Sequence, residues 1–79
     1  MASTKVLNAA VVGTTSGPHA IVGTSAFVRC DSGGVNVLLE GVVFDTVQAY
    51  EGKVITVSPG DSITLYATLP GTTAWFGNV

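Results

Sequence analysis

Two side chains in this sequence could open a nucleophilic mechanism: His19, which follows Gly17-Pro18, and Cys30, which precedes Asp31. A loop histidine can act as a general base or hold a metal, and a thiol paired with it could attack an electrophilic centre. Either task needs a second group converging on the histidine, and the spacing supplies none. An ordinary loop histidine and a small buried or half-buried thiol are therefore the expected states, with a disulfide to another subunit as the other use open to Cys30. The acids Glu40, Asp45, Glu51 and Asp61 lack the dense odd-position spacing of a calcium loop and read as solvated turn carboxylates. Glu40 is the exception. It stands within the most apolar stretch, so it should pair with a cation, Arg29 being nearest by chain order, or face solvent at an edge. Tyr50, Tyr66 and Trp75 are amphipathic aromatics that could form a sugar-stacking platform, or else pack in a core or a subunit interface. The sum of these readings is a chain with no catalytic residue, no metal site and no cofactor.

The elements that would have to position such groups are organised around Val35 to Phe44, VNVLLEGVVF, in which seven of ten residues are apolar. In an extended strand Val35, Val37, Leu39 and Val43 share one face, while Leu38, Val42 and Phe44 share the other, so both faces ask to be covered. Before it, Lys5 to Val12 is a weak strand, Gly13 to His19 a loop, and Ala20 to Cys30 an extended segment bent at Gly23. Asp31 to Gly34, DSGG, reads as a tight hairpin turn. After it, Asp45 to Tyr50 is ambiguous and could hold one helical turn, and Glu51-Gly52 reads as a hairpin turn into the β-branched strand KVITV. Ser58-Pro59-Gly60-Asp61 has the residues of a type II turn, and Leu69-Pro70-Gly71-Thr72 repeats the Pro-Gly pair. Between these turns Ile63, Leu65, Ala67 and Leu69 alternate with Ser62, Thr64, Tyr66 and Thr68. The pattern predicts one all-β domain over residues 1–79, a small antiparallel sandwich or barrel of six to seven short strands. Val37, Leu39, Val43, Val57, Ile63 and Leu65 are its expected core.

Size and charge suggest assembly. A chain of 79 residues balances burial against conformational entropy with little to spare, and its single cysteine and single histidine leave no intrachain disulfide and no ordinary zinc site. Charged residues make up 10% of the sequence, against about 25% in a typical soluble domain. Lys5, Arg29 and Lys53 are its only fixed cations, which argues against nucleic acid as a partner. No stretch is long and apolar enough to span a membrane, so a membrane partner is not expected either. The opening Met-Ala-Ser-Thr and the lone cysteine suit synthesis in a reducing cytoplasm. Free β edges usually carry lysine, and two lysines in all suggest edges covered by neighbours.

The small polar start, the strand VNVLLEG, the turn and strand SPGDSITL and the tail LPGTTAW together resemble the small all-β structural proteins of tailed-phage virions, above all the capsid decoration, or cement, proteins. The resemblance implies a structural virion protein, made in the host cytoplasm, that binds the outer capsid surface as a homo-oligomer, by preference a trimer, with the major capsid protein or another shell protein as partner. It also implies an extended terminal arm, here residues 1–5. The resemblance carries over no site residues; from the residues themselves, partner binding is expected at Ala2, Ser3, Thr4 and Lys5, in a start too polar to join a core, and at the apolar Leu38, Val42, Phe44 and Trp75. A carbohydrate-binding or receptor-binding module of a phage tail or fibre is the alternative.

Overall fold

A computed structural model describes residues 3–78, and among these it contains eight strands and no helix. They are β1 (Thr4–Ala9), β2 (Thr15–Ala20), β3 (Ser25–Ser32), β4 (Gly34–Leu39), β5 (Val42–Gln48), β6 (Glu51–Thr56), β7 (Ser62–Ala67) and β8 (Thr72–Asn78). The apolar stretch that organises the sequence is not one strand but a hairpin. Glu40 and Gly41 both take positive φ, 52° and 80°, which is the requirement of a type I′ turn, and the chain reverses there so that Val42 meets Leu39 and Val43 meets Leu38.

This hairpin is the tip of a folded ribbon. Moving outward from it, β3 pairs with β6, β2 with β7 and β1 with β8, all antiparallel. The ribbon folds so that β8 also lies along β3 and β7 along β4, giving two four-stranded sheets ordered β1-β8-β3-β6 and β2-β7-β4-β5. That strand order is the one found in eight-stranded jelly rolls.

Folding a ribbon between two sheets requires links that cross rather than turn back, and these differ from the sequence expectation. From β3 to β4 the chain changes sheet through Gly33 alone, so DSGG is not a hairpin turn. From β5 to β6 it changes sheet through Ala49-Tyr50, and Glu51-Gly52 opens β6 instead of turning. Asp45–Gln48 belongs to β5, with no helical turn, and the segment expected as a loop before His19 supplies β2, which brings the count to eight. Pro18 is tolerated in β2 because that strand is an edge, where a missing N–H removes no ladder bond. Thr4 and Lys5 are part of β1, so the arm expected over residues 1–5 is not an arm from Thr4 onward; Met1 and Ala2 lie outside the described residues.

The core lies between the sheets and is built from strand alternation. Ala26, Val28 and Cys30 of β3, Val35 and Val37 of β4, and Ile63, Leu65 and Ala67 of β7 are all fully buried. Leu39 and Val57 pack against this cluster from its margin, whereas Val43 is 55% exposed. The reason is the turn. A two-residue reversal at Glu40-Gly41 pairs Val43 with Leu38 and so puts it on the outward face, and the bulge that follows, where Phe44 is an extra residue, brings Val47 back in phase with buried Val35.

The edges carry their own guards. Both lysines stand on edge strands, Lys5 on β1 and Lys53 on β6. The Lys53 ammonium donates to the Thr46 carbonyl at 2.7 Å and to Asp45 Oδ1 at 3.2 Å, tying the β6 edge to the β5 edge of the other sheet. Pro18 and a register shift break β2, and register shifts also interrupt β1 and the β4–β5 pair. These are devices that hinder strand addition.

Candidate functional site

The links gather at two ends of the sandwich, which differ in chemistry. The first end carries the β4–β5 hairpin, Ile21–Thr24, Val57–Asp61, the start of β1 and the end of β8. Here an open hollow of about 400 Å³ is bordered by Pro18, Glu40, Gly60, Asp61, Ser62 and Thr64. Asp61 accepts the Ser58 N–H at 3.0 Å and donates its own N–H to the Ser58 carbonyl, which fixes the turn. Ser62 and Thr64 point outward because Ile63 and Leu65 point in. The lining thus offers hydroxyls and carboxylates, and no group of three ligating side chains that could hold a metal occurs among the described residues. Glu40, expected to find Arg29 or an edge, is exposed at the hairpin tip.

Beside the hollow, the hairpin exposes apolar side chains on both faces of β5: Val42, 68% exposed, shares the face of Leu39, Val43, 55% exposed, shares that of half-buried Leu38, and Phe44 at the bulge is 47% exposed. The expected partner-binding residues Leu38, Val42 and Phe44 are therefore all on the hairpin, but the turn sets Leu38 and Val42 on opposite faces and not on the one face that a continuous strand would give them. Thr4, Lys5 and Trp75 lie in the other sheet, with Lys5 the cross-strand neighbour of Trp75, and Ser3 is half-buried just before β1. Both groups are toward the first end but at opposite edges, and Ala2 falls outside the described residues.

Trp75 is held on the outer face of its sheet by its neighbours. Its indole N–H donates to Asp31 Oδ2 at 2.7 Å, and Arg29, itself bonded to Asp31 at 3.0 Å, lies 4.7 Å from the ring centroid. Lys5, on the strand at the other side of β8, approaches the ring at 5.6 Å. Cations on both flanks compete with a sugar for the ring. Tyr66 belongs to the other sheet and Tyr50 to a link at the second end, so the three aromatics do not form one platform.

The histidine has a partner that the sequence did not reveal. Ser16 Oγ lies 2.9 Å from His19 Nε2, and the imidazole stacks on Phe76 with centroids 4.9 Å apart. The bulge between Ser16 and His19 sets this contact, and bulges leave little trace in composition. The pair is a hydroxyl and a base in hydrogen-bond contact, but no third side chain bonds the ring among the described residues. Cys30 is not part of it: the thiol is in the core, donates to the Ser32 carbonyl at 3.1 Å, and is pushed up in pKa by burial, which keeps it protonated.

Burial also lowers the pKa of His19, with a consequence for stability. A base whose folded pKa lies below its unfolded value of about 6.5 leaves the unfolded chain to take the proton first. Its full stability is present above that value and is lost as the pH falls through it toward the folded pKa. The melting temperature should therefore drop between about pH 7.5 and 5, and His19→Gln should flatten that step. Asp45, held low by the Thr46 N–H and by Lys53, contributes only to losses at more acidic pH. An unchanged slope in His19→Gln would exclude His19 as its source.

Searches of family models, of curated proteins and of solved structures return no match to this chain.

Proposed function

We propose that this chain is a non-catalytic structural protein of a virion that decorates the outer surface of a capsid as a homo-oligomer, a trimer by preference. The observation that carries the reading is the exposure of Val42, Val43 and Phe44 along the edge strand β5, in a molecule whose edges carry devices against strand addition. Such a surface suits side-chain packing onto another protein, not strand addition. The start of β1 lies at the same end, so a docked N-terminal segment and the hairpin would meet the shell together. The strand order supports the reading by analogy alone, since jelly rolls recur in viral capsid and lectin domains and a fold does not fix a function. Antibodies against the chain should label the outer shell of purified particles from a producing culture, and Phe44→Lys should weaken that labelling. Label confined to tails or to particle-free protein would overturn the reading.

The hollow favours a second reading, a carbohydrate-binding module. Its hydroxyls and carboxylates are groups that pair with sugar hydroxyls, and Tyr66 follows Thr64 on the same outer face of β7. Under this reading a glycan-array signal should be lost on Asp61→Asn or Tyr66→Ala but kept on Trp75→Phe.

A further inference from the structure

At the second end of the sandwich four links lie side by side in the order Ala10–Thr14, Thr68–Gly71, Gly33 and Ala49–Tyr50. Their large exposed side chains are Val11, 66% exposed, Val12, 49%, Leu69, 52%, and Tyr50, 91%, and the exposed Thr14 bonds its hydroxyl to the Val11 carbonyl. None of the three cations and five acids of the chain falls in these links. The nearest charge is Glu51, whose carboxylate accepts the Gln48 N–H at 3.1 Å and faces Lys53. Because the row is assembled from four separate loops, none longer than five residues, no window of the sequence displays it.

We propose that this charge-free end rests on a lipid bilayer of neutral, zwitterionic headgroups, with Val11, Val12, Leu69 and Tyr50 seated at the boundary between headgroups and acyl chains. A polar backbone group can leave water for lipid only if it is already bonded. At these tips several are. The Val11 carbonyl accepts from both the N–H and the hydroxyl of Thr14, and the Leu69 carbonyl accepts from Thr72 Oγ1 at 2.7 Å. The Ala9 carbonyl accepts the Gly71 N–H at 2.8 Å, and the Gly71 carbonyl accepts from Ser32 Oγ at 2.7 Å. The Tyr50 N–H donates to the Cys30 carbonyl at 2.8 Å.

Tyr50 is a second, independent pointer. Its φ of 63° is a conformation that glycine or asparagine holds more easily, yet a tyrosine stands there with its ring almost wholly in solvent. An amphipathic aromatic is the residue type that favours the membrane interface. The row carries no cation to hold a phosphate or an anionic headgroup, and the net charge of -2 opposes an anionic surface.

A second copy seated on the row would give a dimer that depends on protein concentration, which distinguishes it from a lipid surface. A protein partner would ordinarily add a hydrogen bond for each 100–200 Å² or so, and the Val11, Leu69 and Gly71 carbonyls at these tips are already bonded within the chain. No helix of the described residues is long and apolar enough to cross a membrane, and resting on one requires none. The inference is separate from the capsid reading, which uses the opposite end.

The test is flotation of the full chain with phosphatidylcholine vesicles at millimolar lipid, compared with vesicles rich in phosphatidylserine. The wild-type chain should float with the neutral vesicles and not more strongly with the anionic ones, with little dependence on salt. The double variant Val11→Asp, Leu69→Asp should bind at least about ten-fold more weakly, and Val54→Asp, 57% exposed on a sheet, should bind as the wild type does. Tyr50→Asn should reduce binding without lowering the melting temperature, which separates lipid contact from folding. No flotation, binding confined to anionic vesicles, or a folded double variant that floats like the wild type would overturn the proposal. So would a concentration-dependent dimer that the double variant abolishes, since the occupant would then be a second copy.

Discussion

Gly33→Ala is expected to destabilise the fold by roughly 3–4 kcal/mol, from about 1 kcal/mol of backbone strain and about 2–3 kcal/mol of overpacking. Gly33 has φ of 77° and is the whole link by which the chain leaves one sheet and enters the other. A Cβ there would stand 2.8 Å from Thr72 Cα, and backbone cannot rotate away as a side-chain tip can. Thr72 is itself constrained: it is fully buried, its hydroxyl accepts the Gly34 N–H at 3.2 Å, and it donates to the Leu69 carbonyl. Moving it would disturb the crossing and the β7–β8 link together. Gly60 supplies the comparison, because its φ is 87° but a Cβ would meet nothing within 4 Å, so Gly60→Ala should cost about 1 kcal/mol. Urea unfolding of both variants checks the pair. Equal losses would mean that Gly33 is not pressed against Thr72.

That glycine also marks where legibility stops. The tandem Gly33-Gly34 announces a tight reversal, and local chemistry reads the same for a hairpin within one sheet as for a step between two. Which of them forms depends on whether β3 finds β6 and β8 or finds β4, a long-range choice that no dipeptide encodes. The strand at Ser62–Ala67 was readable because one face is buried and the other is not. So was the all-β character, from β-branched runs between turns. The Ser16–His19 contact was not readable, because it depends on a bulge, and neither was the apolar end, because it is divided among four loops. In each case the missing information is the pairing of distant segments.

The same limit governs the core, where Leu65→Ala should cost about 3–4 kcal/mol while Val43→Ala should cost less than about 0.5 kcal/mol. By alternation alone the two residues are equivalent, each aliphatic and each in phase with a run of apolar residues. Leu65 lies on β7, bonded on both sides to β2 and β4, and is fully buried between the sheets, so truncating it leaves a cavity that neighbouring strands cannot close. Val43 lies past the turn at Glu40-Gly41 and beside the bulge at Phe44, and more than half of its side chain is in solvent. Its removal gives back to water only surface that is already largely wet. Chemical denaturation of the two variants distinguishes the arrangements directly. A continuous strand over residues 35–44 would place Val43 with Val35 and Val37 and make the losses similar. The hairpin makes them differ several-fold, and leaves Val43 free for the contact with a shell protein proposed for it and for Val42 and Phe44.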